Sequence, residues 1–183
     1  MKAYTFRTIL TSISTLSLVL FPATFTLAND TFVGDVRSAY QKAHEKADSF
    51  NKFHALVGEY GGSDPLLLAY KASAIALKGK FAISPVSKVK YAKTALSQLD
   101  SLISKHTTNV EIVFLRLAIE HNIPSFLNMS SHIEQDKEVI ISYLPSYSRV
   151  HINMSNFMIA SLIDFGLISE EDAASLKTNP NNE

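Results

Sequence analysis

Asn109-Val-Glu-Ile-Val-Phe-Leu-Arg-Leu-Ala-Ile-Glu-His121 is the stretch on which the reading of the fold turns. Wound into a helix it is apolar nearly all round, and such a helix belongs in the middle of a domain. Asn109 is placed to accept from the first free amides and so to start it. Arg116 is the only Arg or Lys in this segment, and its guanidinium needs a carboxylate if it is buried. Glu120, four residues on, is the expected partner, which makes Arg116 and Glu120 a candidate buried ion pair; Glu111 is less well placed.

Helices follow on both sides. On the N-terminal side, Val89, Ala92, Leu96, Leu99 and Ile103 form a stripe at helical spacing after Pro85. Before that, Asp64-Pro65 is a helix start, with Asp64 as cap and Pro65 at the first helical position. The helix from 65 to about 81 carries Leu67, Tyr70, Ala74, Leu77 and Phe81 on one side, while Ala69, Ala72, Ser73, Ala76 and Gly79 offer small surfaces for a close neighbour. Gly61-Gly62 ends an earlier stripe, Val33, Val36, Tyr40, Ala43, Ala47, Phe50, His54 and Val57, whose unbroken 3–4 spacing predicts one helix.

On the C-terminal side, Asn122-Ile-Pro124-Ser-Phe-Leu-Asn128 breaks the pattern. Ser131 with Glu134 then predicts a capping box for a helix over about 132–144, ended by Pro145. A helix over about 149–165 stops at Gly166, and Ser169 with Asp172 opens a short last one. No alternating strand pattern occurs, so the expected fold is all-α. It has about seven helices in antiparallel hairpins, stacked like repeats or packed as an irregular bundle.

The chain has 183 residues, 17 Lys+Arg against 17 Asp+Glu, six His, no Cys and no Trp. That length suits one ordinary core. Without Cys there is no disulfide scaffold, thiol chemistry or Cys-based metal site. The neutral balance argues against a dedicated nucleic-acid binder.

Lys2 and Arg7 are the only charges before Asp30. Between them and Asp30 an apolar stretch, Ile9–Phe21, is followed by small residues, with Thr26 and Ala28 at −3 and −1 of a cut before Asn29. This is the order of a secretory signal peptide, 1–28, preceding a single helical domain, 29–176, and a polar tail, 177–183. Export to the periplasm or beyond is expected. An uncleaved anchor is the rival reading, weakened by eight Ser and Thr among residues 8–28. No later segment could span a bilayer.

An offset of 45 residues places Pro65 over Val110, Leu68 over Val113, Lys71 over Arg116 and Ser73 over Ala118. Each copy is a helix, a break and a second helix, and the first resembles a tetratricopeptide repeat through Asp64-Pro65, Tyr70, Ala72 and Ala76. Its helix-to-helix connection at 79–86 is longer than that unit allows. Over about 65–145 the chain also resembles a family of small exported helical proteins of Bacteroidetes bacteria. The resemblance rests on Leu68-Ala-Tyr70-Lys-Ala72, Glu111-Ile-Val-Phe-Leu-Arg116, Asn122-Ile-Pro124-Ser-Phe-Leu127 and Ile133-Glu-Gln-Asp136-Lys137. It implies export and a tetratricopeptide-like fold, and it brings no activity and no site residues.

For chemistry, no two of His44, His54, His106, His121, His132 and His151 are four apart. His44 with Asp48 and His132 with Asp136 are the nearest to helical half-sites for a metal. No Gly-x-Ser-x-Gly elbow and no Gly-rich phosphate loop is present. Thus no catalytic, metal or cofactor residue is assigned. A small envelope hydrolase or metal-dependent enzyme is the alternative, and it requires two or more of His44, His121, His132 and His151 to converge with Asp48, Glu120 or Asp136 in one cleft.

Two surfaces are candidates for binding. Lys71, Lys78, Lys80, Lys88, Lys90 and Lys93 occur with no acid between Asp64 and Asp100, and Phe81, Pro85 and Tyr91 lie among them. Lys78, Lys80, Lys88, Lys90, Lys93 and Tyr91 therefore make a candidate surface for an anionic ligand or partner, or else a solvated face with Phe81 and Tyr91 in the core. Phe126 and Leu127 are expected to plug the core, and if exposed they become a protein-contact loop. The leading expectation is a non-catalytic exported module that binds or scaffolds another envelope protein.

Overall fold

A computed structural model describes residues 23–177. In chain order the helices are α1 (Ala23–Ala43), α2 (Ala47–Gly58), α3 (Pro65–Lys80), α4 (Pro85–Ile103), α5 (Val110–His121), α6 (Ile133–Ser148), α7 (Ile152–Asp164) and α8 (Glu170–Lys177). One 3-10 turn, Ser125–Leu127, joins α5 to α6. The described residues contain no strand, and the chain is all-α. None of these helices is long and apolar enough to cross a membrane. The apolar run of the expected signal peptide and the residues after Lys177 lie outside the described residues, and the expected cut before Asn29 falls within α1.

α5 sits at the centre. Every residue from Val110 to Leu117 is buried, the two charged ones included. α3, α4 and α6 pack around it, and α2 and α1 extend the stack on the α3 side. Tyr70, early in α3, reaches Glu111 in the first turn of α5, so the starts of these two helices lie together. Tyr147 in the last turn of α6 also meets Glu111, and Asp136 near the start of α6 meets Arg116, so α6 runs back along α5. Aromatic rings fill the space between α1, α2, α3 and α7: Tyr40 has T-shaped contacts with Phe53, Tyr70 and Phe157 at 5.6, 5.4 and 6.0 Å.

Several local expectations hold because they depend on a few neighbouring atoms. Asp64 accepts from the amides of Leu66 and Leu67, and Asn109 from that of Ile112. Gly79 is buried where α4 crosses α3, and a Cβ there would sit a tight 3.2 Å from that of Tyr91. Gly166 has φ +68°. The amides of Gly166 and Leu167 bond back to Ile163 and Leu162, closing α7 in a left-handed cap. Ser169 and Asp172 exchange the hydrogen bonds of a capping box at α8.

Three expectations are corrected. The stripe from Val33 to Val57 is two helices, not one, because the chain turns at His44-Glu45-Lys46 and α2 packs back on α1. The 3–4 spacing survives across the turn, but Ala47 and His54 stand in solvent while Phe53 takes the buried place. Among the described residues there are eight α-helices rather than the expected seven. The Ser131–Glu134 box does not form: the His132 amide that begins α6 is taken by Glu120, reaching across from α5. Nor does α6 stop at Pro145; it continues to Ser148. The missing amide costs one backbone bond, and the Tyr147 phenol holds the following turn against Glu111.

Ser155, in the first turn of α7, is fully buried, and among the described residues its hydroxyl has no hydrogen-bond partner. A hydroxyl in that state costs about 1–3 kcal/mol. Ser155→Ala removes the cost, so thermal unfolding of the variant should show a gain of about 1 kcal/mol.

Candidate functional site

Glu111 is 1 % exposed, and such a carboxylate is tolerable only if its oxygens are occupied. They are. Arg37 of α1 donates through Nε to Oε1 at 2.8 Å and through its second amino group to Oε2 at 2.6 Å. The Tyr70 phenol donates to Oε1, and the Tyr147 phenol to Oε2 at 2.5 Å. One side chain thereby ties α1, α3, α5 and α6 together. Burial works against the Arg37 charge, but the bonds to Glu111 outweigh it and hold the guanidinium charged. Burial, reinforced by the Glu111 charge, pushes the Tyr70 and Tyr147 phenols well above their ordinary value. Both stay protonated and remain donors.

The outer edge of this hub is open. Arg37, Glu111, Tyr147 and His151 form the inner wall of a cleft of about 390 Å3. Leu66, Val110, Tyr143 and Val150 supply apolar lining, and Thr108, Asn109 and Ser146 supply polar groups. Val150 is 76 % exposed and Tyr143 41 %, with Ile152 beside them at 58 %. The cleft thus has an apolar rim, hydrogen-bonding side chains on its walls and a floor whose charges are already paired. Such a mixture suits a peptide segment, with its alternating amides and side chains, better than a free anion.

His151 lies against both Arg37 and Tyr147. Arg37 can only donate, so the 3.3 Å contact from its other amino group to Nδ1 requires a neutral imidazole with its proton on Nε2. Burial, then the nearby Arg37 charge, lowers the affinity of His151 for a second proton. A histidine that resists protonation when folded contributes stability above its unfolded pKa of about 6.5 and loses it as the pH falls through the lower folded value. The urea midpoint should therefore fall as the pH drops below about 6.5, and His151→Asn should flatten that fall.

A second buried pair lies further along α5. Arg116 is buried, as expected, but its partner is not Glu120. Nε and one amino group bind Asp136 at 2.9 and 2.6 Å, and the other amino group binds Asp100 at 2.8 Å. Glu120 is buried too and is occupied by His132, through the backbone amide at 2.8 Å and Nδ1 at 2.7 Å. Helix-to-helix packing sets these choices. α6 brings Asp136 opposite Arg116, and the start of that helix covers Glu120. Burial raises the Asp136 pKa against the pull of Arg116.

The histidines do not gather. His121 stacks on Phe165 at 4.1 Å, His132 pairs with Glu120, and His44 is exposed. His132, Glu120 and Asp136 are neighbours, yet both Asp136 oxygens are held by Arg116. Among the described residues no three His, Asp or Glu are arranged to hold a metal ion.

The lysine segment folds into the α3–α4 hairpin. Lys71 is spent on the Tyr60 carbonyl, Lys80 donates to the His44 carbonyl at 2.7 Å, and Lys78 lies 5.6 Å from the Tyr91 ring centre. Lys88, Lys90 and Lys93 are exposed, and Tyr91 is half-buried. Phe126 does not plug the core: it is 83 % exposed and Leu127 half-buried. The 3-10 turn and the left-handed Asn128 after it hold this short loop outside the bundle. It keeps the protein-contact reading.

Arg37, Tyr70 and Tyr147 were not singled out as site residues from the sequence. Glu111 carried the same signal as Arg116, a charge in a helix otherwise apolar all round, and Arg37 lies four residues from Val33 and three from Tyr40, at the edge of the buried stripe. Compared with known proteins, the chain matches no family model, no curated protein and no solved structure.

Proposed function

We propose that this chain is an exported, non-catalytic binding module that receives a segment of another envelope protein in the Arg37–His151 cleft. The observation that carries the reading is the cleft itself, with exposed Tyr143 and Val150 at the rim of a floor whose charges are paired. A binding site of this kind gains from walls that are already fixed, and the Glu111 hub fixes them. The basic, apolar and small-residue order of the first 28 residues supports export. Helices α3 and α5 begin 45 residues apart behind the capping side chains Asp64 and Asn109. This supports reading α3–α4 and α5–α6 as two tetratricopeptide-like units flanked by α1, α2, α7 and α8.

Affinity purification from the envelope of the exporting cell tests the reading. Wild-type protein should retain a partner that Tyr143→Asp with Val150→Asp loses, because both substitutions place a charge on the apolar rim without touching the core. Equal recovery of the same proteins by both forms would remove the cleft from the interaction.

A further inference from the structure

Ile83 and Val86 stand at the turn between α3 and α4, 100 % and 78 % exposed. Neither is there by default. Ser84 precedes α4 at its cap position and Pro85 starts the helix. A large apolar residue just before the cap commonly packs on the fourth helical residue. Here that residue is Lys88, so Ile83 has nothing apolar to cover it. Phe81, at the end of α3, is anchored by its ring contact with Phe50 at 5.0 Å and still shows an exposed edge. Three apolar side chains within six residues thus project from a turn held by Pro85 on one side and Phe50 on the other.

Lys78, Lys80, Lys88 and Lys90 surround them, all exposed. The two with described contacts meet a carbonyl and a ring, so their charges are not neutralised. No ion pair among the described residues involves any of the four, and residues 65–99 contain no acid. The adjoining turn after α1 carries Glu45 and Asp48, offset by Lys42 and Lys46. The tip is the C-terminal end of α3, and the loop bearing exposed Phe126 follows the C-terminal end of α5. The Arg37–His151 cleft lies instead beside the first turns of both helices, lined by Leu66 and Glu111.

We propose that the α3–α4 tip docks on an anionic lipid surface, Ile83 and Val86 entering the headgroup region while Lys78, Lys80, Lys88 and Lys90 meet lipid phosphates. An acidic protein face would accept the lysines but offers no reason for bare aliphatic side chains at their centre. A headgroup layer over hydrocarbon takes both. The protein would then stand on a membrane with its cleft directed away from it.

The chain has no Trp and seven Tyr, so Ile83→Trp in the full chain introduces a single tryptophan at the tip, whose emission is read by exciting it selectively over tyrosine. Its emission should shift to the blue with vesicles of phosphatidylglycerol and stay unshifted with vesicles of phosphatidylcholine. Each lysine at such a surface is worth about fivefold in partitioning. Lys88→Gln with Lys90→Gln should therefore lower the partition coefficient about 30-fold, and salt at about 1 M should weaken it as the Debye length falls to about 3 Å. Since all three positions are exposed or lie on the surface of α4, circular dichroism should match that of the parent. No shift with either vesicle, an equal shift with both, or a shift indifferent to the two lysines overturns the proposal.

Discussion

Glu111→Ala should lower the stability of this protein by about 3–5 kcal/mol, the cost typical of breaking a buried ion pair from one side. The loss follows from what remains behind rather than from the bonds alone. Arg37 is left with its Nε and one amino group unpaired, and the fully buried Tyr70 phenol keeps only the weak Met154 sulfur acceptor at 3.9 Å. A whole domain is stable by only about 5–15 kcal/mol, so the variant is expected near the edge of folding at ambient temperature. Tyr147→Phe is the milder version, expected at about 1–2 kcal/mol. Arg37→Met combined with Glu111→Leu removes both charges and should recover much of the single-variant loss. Urea unfolding at constant slope measures all of them. A Glu111→Ala loss under about 1 kcal/mol would mean that the carboxylate is not the tie between α1, α3, α5 and α6.

Arg116→Met is the second large effect, again about 3–5 kcal/mol. It strands Asp136, which is 1 % exposed and has no other cation bonded to it among the described residues. Asp100 shares the same guanidinium but stands 46 % exposed, and water can replace what it loses. Asp100→Asn is therefore expected to cost about 1 kcal/mol or less. The contrast between the two aspartates is the sharper part of the prediction, since they lie at nearly equal distances from Arg116 and differ in burial. A double-mutant cycle should find strong coupling between Arg116 and Asp136. Coupling to Glu120 should be weak, because that carboxylate is engaged by His132. Strong Arg116–Glu120 coupling would restore the pairing that i,i+4 spacing alone suggests.

The contrast between Arg116 and Asn109 shows what a sequence can disclose. Asn109, Asp64, Gly166 and the Ser169–Asp172 box act on atoms within a few residues of themselves, and the local chain determines each. The burial of α5 was equally legible, since a helix apolar on every side has no surface to give to water. Partners across space were another matter. Arg116 had to be buried and paired, but whether with Glu120 or Asp136 depends on the rotation of α6, which no spacing along α5 encodes. The turn at His44-Glu45-Lys46 escaped notice because it contains neither Gly nor Pro and because an apolar stripe runs on at 3–4 spacing through it. Pro145 misled in the opposite direction: its missing amide is a local cost, overridden by the tertiary bond from Tyr147. The cleft belongs to the same class. Its walls come from α1, α3, α5, α6 and two links, and only the folded chain brings Arg37 to His151.

The lysine segment was visible in the sequence as charge, and the structure supplies what charge alone could not. Phe81 is anchored rather than free, Tyr91 is half-covered, and Ile83 and Val86, neither of them notable as letters, are the residues that water surrounds.

The proposal that the Arg37–His151 cleft receives a segment of a partner protein can be read out with a photo-crosslinking residue placed at Tyr143 and expressed in the source cell. Tyr143 is at the rim and outside the core, so the substitution leaves the Glu111 hub intact. A discrete adduct with one protein is expected from this position, and none from the same residue placed at exposed Ser101 of α4. No adduct at Tyr143, or the same adduct from both positions, would contradict it.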